Sequence, residues 1–221
     1  MTVLSRPRHP IVADALVLAG EWCRGQVVDG APALGHAVRV ALVLGCHIPA
    51  AAPELVAAVL LHDSPEYAPK DLDLDALLTV RLGPAVTRIV RGLEREHTAL
   101  DQRPAPDVTT EDRWTLYASA ADKIVSLLSI LGRAARAPDR AAYWRSRRAF
   151  VDRVPYFAAF HTAAKPHLPP SMAGDLARLV VRAEQATTLT GRAGTNPAST
   201  TDDAKATGEM NDDSDGASAN A

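Results

Sequence analysis

The 221-residue chain is predicted to be all-α: one helical-bundle domain over about residues 8–188, followed by a low-complexity acidic tail over residues 191–221. Three observations predict it. The chain is 47% hydrophobic and rich in Ala, Leu and Val, enough for one core at this length. Apolar residues recur at intervals of three and four through one segment after another, while β-branched residues never alternate with polar ones for long enough to make a strand. Prolines stand at the starts of the periodic segments, where a missing N–H costs nothing.

From Pro10 to about Cys23, Ile11, Val12, Ala15, Leu16, Leu18 and Ala19 make a first amphipathic helix, which Arg24-Gly25-Gln26 and Asp29-Gly30 break. Pro32 begins a second helix, with His36, Val40, Val43 and Leu44 on roughly one face. After Pro49 and Pro53, a third carries Val56, Val59 and Leu60, with His62 and Asp63 on its last turn. Pro65 disfavours helical geometry at Ser64 and should end it. Asp73 or Asp75 caps a short helix through Leu82. Gly83-Pro84 closes that one and opens a longer helix with Val86, Ile89, Val90 and Leu93 inside; Arg88, Arg91, Glu94, Arg95 and Glu96 read as a solvated face. Residues 101–110 form a loop, after which Asp107, Thr109 or Thr110 caps a helix through Trp114, Asp122, Val125 and Leu131. Pro138-Asp139 opens another, carrying Tyr143, Trp144, Phe150 and Val151, which Pro155 should kink or divide. A last helix runs from about Ser171 to Gln185. Beyond Gly191 the residues are mostly Gly, Ala, Ser, Thr, Asn and Asp, and Met210 is the one large apolar side chain, too little to order the segment.

Net charge is −2, so no polyanion-binding surface is expected. From Gly191 onward two basic residues face six acidic ones, which leaves the preceding part mildly basic and compatible with a phosphorylated small molecule. The two cysteines, Cys23 and Cys46, lack paired spacing, so neither a disulfide framework nor a zinc ribbon is expected, and a reducing cytoplasm suits them. No targeting signature and no run of membrane-spanning length is read from the sequence.

An imidazole and a carboxylate at the end of a buried helix, as at His62-Asp63, are costly to leave unpaired. Taken alone, a chance His-Asp pair hydrogen-bonded to nearby backbone accounts for them. His36 and Asp122 change the odds, because each also stands in an otherwise apolar helical segment. Two histidines and two aspartates from three separated helices can supply four ligands to one divalent cation, imidazole suiting Mn, Fe, Co or Zn and carboxylate suiting harder ions. At helical spacing Asp122 neighbours Ala118, Val125, Ser126 and Ser129, mostly small, so its carboxylate has room for a ligand. His47, His97, His161 and His167 have no partner at ligand spacing and read as surface or loop histidines; Trp22, Trp114 and Trp144 read as packing.

With His36, His62-Asp63 and Asp122 in that order, the chain resembles the HD-domain phosphohydrolases, an all-helical superfamily named for the dipeptide. Within it the similarity is closest to the small alarmone hydrolases, the hydrolase part of the RelA/SpoT proteins. It extends to about residue 185 and runs through Arg24-Gly25-Gln26, Gly30, Pro32, the stretch around His36, AAVLLHD with Glu66, LGPAVTRIVRGLE and ADKIVSL. The resemblance implies that His36, His62, Asp63 and Asp122 bind one divalent metal, usually manganese, and that Glu66 orients or deprotonates the attacking water. It also implies that Arg24 lies near the nucleotide and that Lys123 meets phosphate, although both read equally as surface charges, and Glu66 as a surface glutamate. The implied activity is hydrolysis of guanosine 3′,5′-bis(diphosphate), ppGpp, to GDP and pyrophosphate. The partner is then a small nucleotide rather than nucleic acid or membrane.

Two positions depart from that pattern. Tyr67 stands where the family has a second acid after Glu66, and Ser126 where it usually has an asparagine. HDSPEY followed by Asp71 is also similar to the 5′-deoxynucleotidase branch, in which Glu66 and Asp71 would act together on a nucleoside monophosphate. A third reading is an inactive domain that binds metal and nucleotide, with Tyr67 marking lost catalysis.

Overall fold

Pro10 opens α1 (Pro10–Trp22), whose first turn needs no N–H from it, and Val12, Ala15, Leu18, Ala19 and Trp22 enter the core. The computed structural model describes residues 2–28, 30–102 and 112–192. Within these the chain is all-α, with ten α-helices and one 3-10 turn. The low-complexity tail expected from the sequence lies outside the described residues from 193 onward. One difference is a two-residue ladder, where the sequence predicts no strand: β1 (Val27–Val28) pairs antiparallel with β2 (Ala31–Pro32). It is too short to show alternation, and Gly30, with φ of +73°, sits in its reversal.

α2 (Ala33–His47) buries His36 together with Val40 and Leu44. α3 (Pro53–Leu60) is buried on all sides from Leu55 to Leu60 and packs on α1, α2 and α6, which makes it the centre of the bundle. It ends at Leu60, earlier than predicted, so His62 and Asp63 lie in the turn that leads to α4 (Ser64–Tyr67). Pro65 sits in the first turn of α4, where a proline is tolerated, so the chain enters a new short helix there.

α5 (Leu74–Leu82) is capped by Asp73, whose carboxylate accepts from the Ala76 amide at 3.0 Å. Gly83, with φ of +98°, turns the chain into α6 (Pro84–Gln102), and Val86, Ile89, Val90 and Leu93 are buried as expected. Asp112 caps α7 (Arg113–Arg136), while the predicted caps Asp107, Thr109 and Thr110 lie outside the described residues. Contrary to the expectation that no run reaches membrane-spanning length, α7 is long and apolar enough for one. Its apolar face packs instead against α2, α6 and α10, and it carries Asp122 and Lys123 at mid-length, as a core helix would. α8 (Arg140–Arg145) and α9 (Arg148–Ala164) divide at Ser146–Arg147 and not at Pro155, which α9 accommodates internally. After the 3-10 turn Lys165–His167, α10 (Pro170–Arg192) closes the bundle against α7 and α9, running past the predicted end at Gln185.

Gly92 sets the approach of α6 to α7. A Cβ there would stand 2.7 Å from Thr115 Cγ2, and Thr115 is held by its own hydrogen bond to Asp112 Oδ2 at 2.7 Å. Glycine to alanine in a helix ordinarily gains about 1 kcal/mol. Overpacking a stiff, anchored neighbour costs about 1–3 kcal/mol, so Gly92→Ala is expected to destabilise the protein. Thermal unfolding checks this, and an unchanged or raised Tm would contradict it.

Candidate metal centre

Three stretches distant in sequence meet where α3 ends. His36 comes from α2, His62 and Asp63 from the turn after α3, and Asp122 from the middle of α7. The turn follows from local hydrogen bonding: His62 Nδ1 reaches back to the Val59 carbonyl at 2.7 Å. A carbonyl only accepts, so Nδ1 carries the proton, and in the neutral ring Nε2 presents its lone pair to the interior of the site. That nitrogen is buried and has no hydrogen-bond partner among the described residues. Asp63 Oδ1 lies 3.3 Å from it and Asp122 Oδ1 3.8 Å. A lone pair facing two carboxylate oxygens is unfavourable unless positive charge sits among them.

His36 Nε2 is 2.9 Å from Asp122 Oδ1, and the ligand atoms of His36, His62 and Asp122 all lie within 4.8 Å of one another. This group can hold a metal ion. Asp63 stands at its edge beside His62, so the four residues predicted as ligands converge on one place. The donor set, two imidazoles with carboxylate oxygens, fits a borderline to hard cation. Burial pulls the His36 imidazole down, but the hydrogen bond and charge of Asp122, with the charge of Asp63, outweigh it and hold His36 above its ordinary value. Burial likewise pushes the Asp122 carboxyl up, and His36, His97 and His62 together hold it well below the usual carboxylate range.

His97 belongs to this cluster, although the sequence reading placed it on the surface. Its Nε2 is 3.6 Å from Asp122 Oδ2, and its ring stands edge-on to His62 with centroids 6.2 Å apart. The signal was present: His97 continues the stripe Val86, Ile89, Val90, Leu93 at a spacing of four. Glu96, read as part of a solvated charge run, is also turned inward, where it pairs with Lys123 and accepts from Tyr156 Oη at 3.0 Å. Burial pushes the Glu96 carboxyl up, and the Lys123 ammonium holds it below its usual range.

The ligands open onto a cavity of about 560 Å³, a size suited to a small organic molecule. Its wall includes His36, Asp63, Glu66, His97 and Asp122. The wall also includes Ser126 of α7, then Ser146, Arg147, Phe150, Arg153 and Phe157 from the break after α8 and from α9, while β1 supplies Val27 and Val28. Arg147 lies near the Tyr143 ring at 5.8 Å, and Phe150 stacks on Trp144 with centroids 6.1 Å apart. The arginine and phenylalanine wall escaped the sequence reading, because nothing local in α8 and α9 marks which face will cover α7.

Glu66 lines the cavity on α4, three residues after Asp63. Tyr67 lines it too; burial, then the charges of Asp63 and Glu66, push its phenol up to about 12, so at neutral pH it is an uncharged hydroxyl. Ser126 Oγ is 3.5 Å from Asp122 Oδ1. The two predicted substrate-binding cations stand elsewhere. Arg24 is exposed and is not part of the cavity wall. Lys123 touches the cavity, but the residue is 2% exposed and its ammonium is engaged by Glu96 and by Ser119 Oγ at 3.0 Å. Asp71, the second acid of the deoxynucleotidase layout, is exposed and outside the wall. No protein-family model matches the chain, and neither does any curated protein.

Proposed function

We propose that the protein is a metal-dependent phosphohydrolase of the HD type that acts on a nucleotide, with ppGpp, cleaved to GDP and pyrophosphate, as the substrate of choice. The observation that carries this reading is the His62 Nε2 lone pair, buried without a hydrogen-bond partner among the described residues and facing the carboxylates of Asp63 and Asp122. His36, His62, Asp63 and Asp122 would hold a divalent ion, with Mn²⁺ suited to mixed imidazole and carboxylate ligands. When bound, such an ion supplies Lewis acidity, drawing charge from a phosphoryl oxygen and making water more acidic.

The chain's own residues do the rest. Val59 fixes the His62 tautomer through its carbonyl, so Nε2 is always the free nitrogen. Glu66, which lines the cavity three residues after Asp63, accepts the proton of the attacking water at a carboxylate oxygen. Arg147 and Arg153, which line the same cavity, offer positive charge to the substrate's remaining phosphates, and the Phe150 ring offers its base an apolar surface. This assigns to Arg147, just before α9, and to Arg153 within it the anion-binding role that the resemblance gave to Arg24 and Lys123. The free cysteines Cys23 and Cys46 suit a cytoplasmic location.

Tyr67 favours a second reading, a domain that binds metal and nucleotide without turnover, because an uncharged phenol replaces the family's second acid. The test is product release with Mn²⁺, offered ppGpp and a panel of deoxynucleoside monophosphates, with Asp122→Ala as the blank. Pyrophosphate and GDP from ppGpp support the proposal, phosphate from a monophosphate moves the protein to the nucleotidase branch, and tight binding without product leaves the second reading. Glu66→Gln is expected to lower turnover by about 10²–10⁴-fold, the usual worth of a general base, while leaving Mn²⁺ affinity unchanged. Full turnover in that variant would remove Glu66 from the mechanism.

A further inference from the structure

At the metal centre, two adjacent residues of α6 meet two adjacent residues of α7 with their charges crossed. Glu96 pairs with Lys123, and His97 faces Asp122. The Glu96 contact is the more deeply fixed of the two: Lys123 Nζ also reaches Ser119 Oγ at 3.0 Å, lies 4.3 Å from the Phe160 ring centroid, and shares Glu96 with Tyr156 Oη. α6 is therefore clamped to α7 one residue away from Asp122, and His97 is carried to a set place beside that carboxylate.

The two oxygens of Asp122 have different company. Oδ1 faces His36 Nε2 at 2.9 Å and His62 Nε2 at 3.8 Å, whereas Oδ2 faces His97 Nε2 at 3.6 Å. A carboxylate with neither oxygen fixed can rotate about its Cβ–Cγ bond and present either one to an ion. We propose that His97 is a positioning residue: it engages Asp122 Oδ2 and so commits Oδ1 to the metal. The inference rests on the metal-binding reading above. Lys123 and Glu96, on the same account, serve the site by holding the two helices in register and not by meeting the substrate. Groups of this kind, one shell behind the ligands, typically contribute 10–100-fold in metal affinity.

The experiment uses the full chain and Mn²⁺ as the probe, with affinity measured by calorimetry on the wild type, His97→Phe and His97→Gln. Phenylalanine keeps most of the ring's volume and removes both nitrogens, while glutamine restores an N–H donor. His97→Phe is expected to weaken Mn²⁺ binding 10–100-fold, with His97→Gln recovering most of the loss. The Tm of the metal-free protein should be similar in all three, which a merely structural role for His97 would not give. Wild-type affinity in His97→Phe would overturn the positioning role while leaving the metal site standing. Equal losses in His97→Phe and His97→Gln would also overturn it, by making His97 a direct ligand. A wild type that takes up no Mn²⁺ would overturn the metal reading itself.

Discussion

Replacing His62 by alanine is expected to abolish the response of the protein to Mn²⁺. An ion present at about 100 times its dissociation constant stabilises the folded state by about 2.7 kcal/mol. For a domain of this size that is a rise in Tm of roughly 5–10 °C. His62→Ala removes a buried ring nitrogen that bears a lone pair, has no hydrogen-bond partner among the described residues and faces Asp63 and Asp122, so the rise should vanish in the variant. Asp122→Ala should behave alike, because Asp122 Oδ1 is the atom that both His36 and His62 face. Differential scanning calorimetry with and without Mn²⁺ decides the matter, and an undiminished shift in either variant would contradict the ligand assignment. Protons compete for the same atoms. His36, held above its ordinary value by Asp122, must give up its proton to ligate. Mn²⁺ affinity should therefore fall as pH is lowered, beginning above the unperturbed histidine value.

The largest effect on stability is expected at Lys123. Its side chain is 2% exposed and is paired with Glu96, so Lys123→Met leaves a carboxylate inside the protein without its counter-charge. Breaking a buried pair from one side costs about 3–5 kcal/mol, a fall in Tm on the order of 10 °C. A second change, Glu96→Gln, removes the stranded charge and keeps an acceptor for Tyr156 Oη, so the double variant should recover much of the loss. The pH dependence has the same origin. Glu96 is held below its unfolded value, so its contribution is present above that value, near 4.5, and is lost as pH falls through the lower folded one. Urea unfolding of the two variants checks both statements, and a Lys123→Met protein as stable as wild type would contradict them.

Much of the bundle was legible because the period of 3.6 is written in apolar residues that have one role. Val86, Ile89, Val90 and Leu93 could only face inward, and prolines marked where α1, α3 and α6 begin. The ligands were legible for the opposite reason: His36 and Asp122 interrupt such stripes, and a polar group in a buried stripe demands a partner. His97 obeyed the same rule and was passed over because it lies beside the charges of Arg95 and Glu96. Those charges concealed a further fact, that long side chains can turn inward when a partner arrives from another helix. Lys123 and Glu96 are separated by 27 positions, and neither shows the other in its neighbourhood. The break at Ser146–Arg147 and the inward face of α9 were illegible because tertiary packing over α7 decides them. Pro155 drew attention to the wrong place: it lies midway along α9, and the helix runs on through it to Ala164.

The central claim is that His36, His62, Asp63 and Asp122 form one metal centre. The most direct measurement is anomalous diffraction at the manganese edge from crystals of the wild-type protein grown with Mn²⁺. A single strong peak is predicted among His36 Nε2, His62 Nε2, an Asp63 carboxylate oxygen and Asp122 Oδ1, at ordinary metal–ligand distances of about 2.0–2.3 Å. Absence of a peak there, or a peak held by other residues alone, would contradict it.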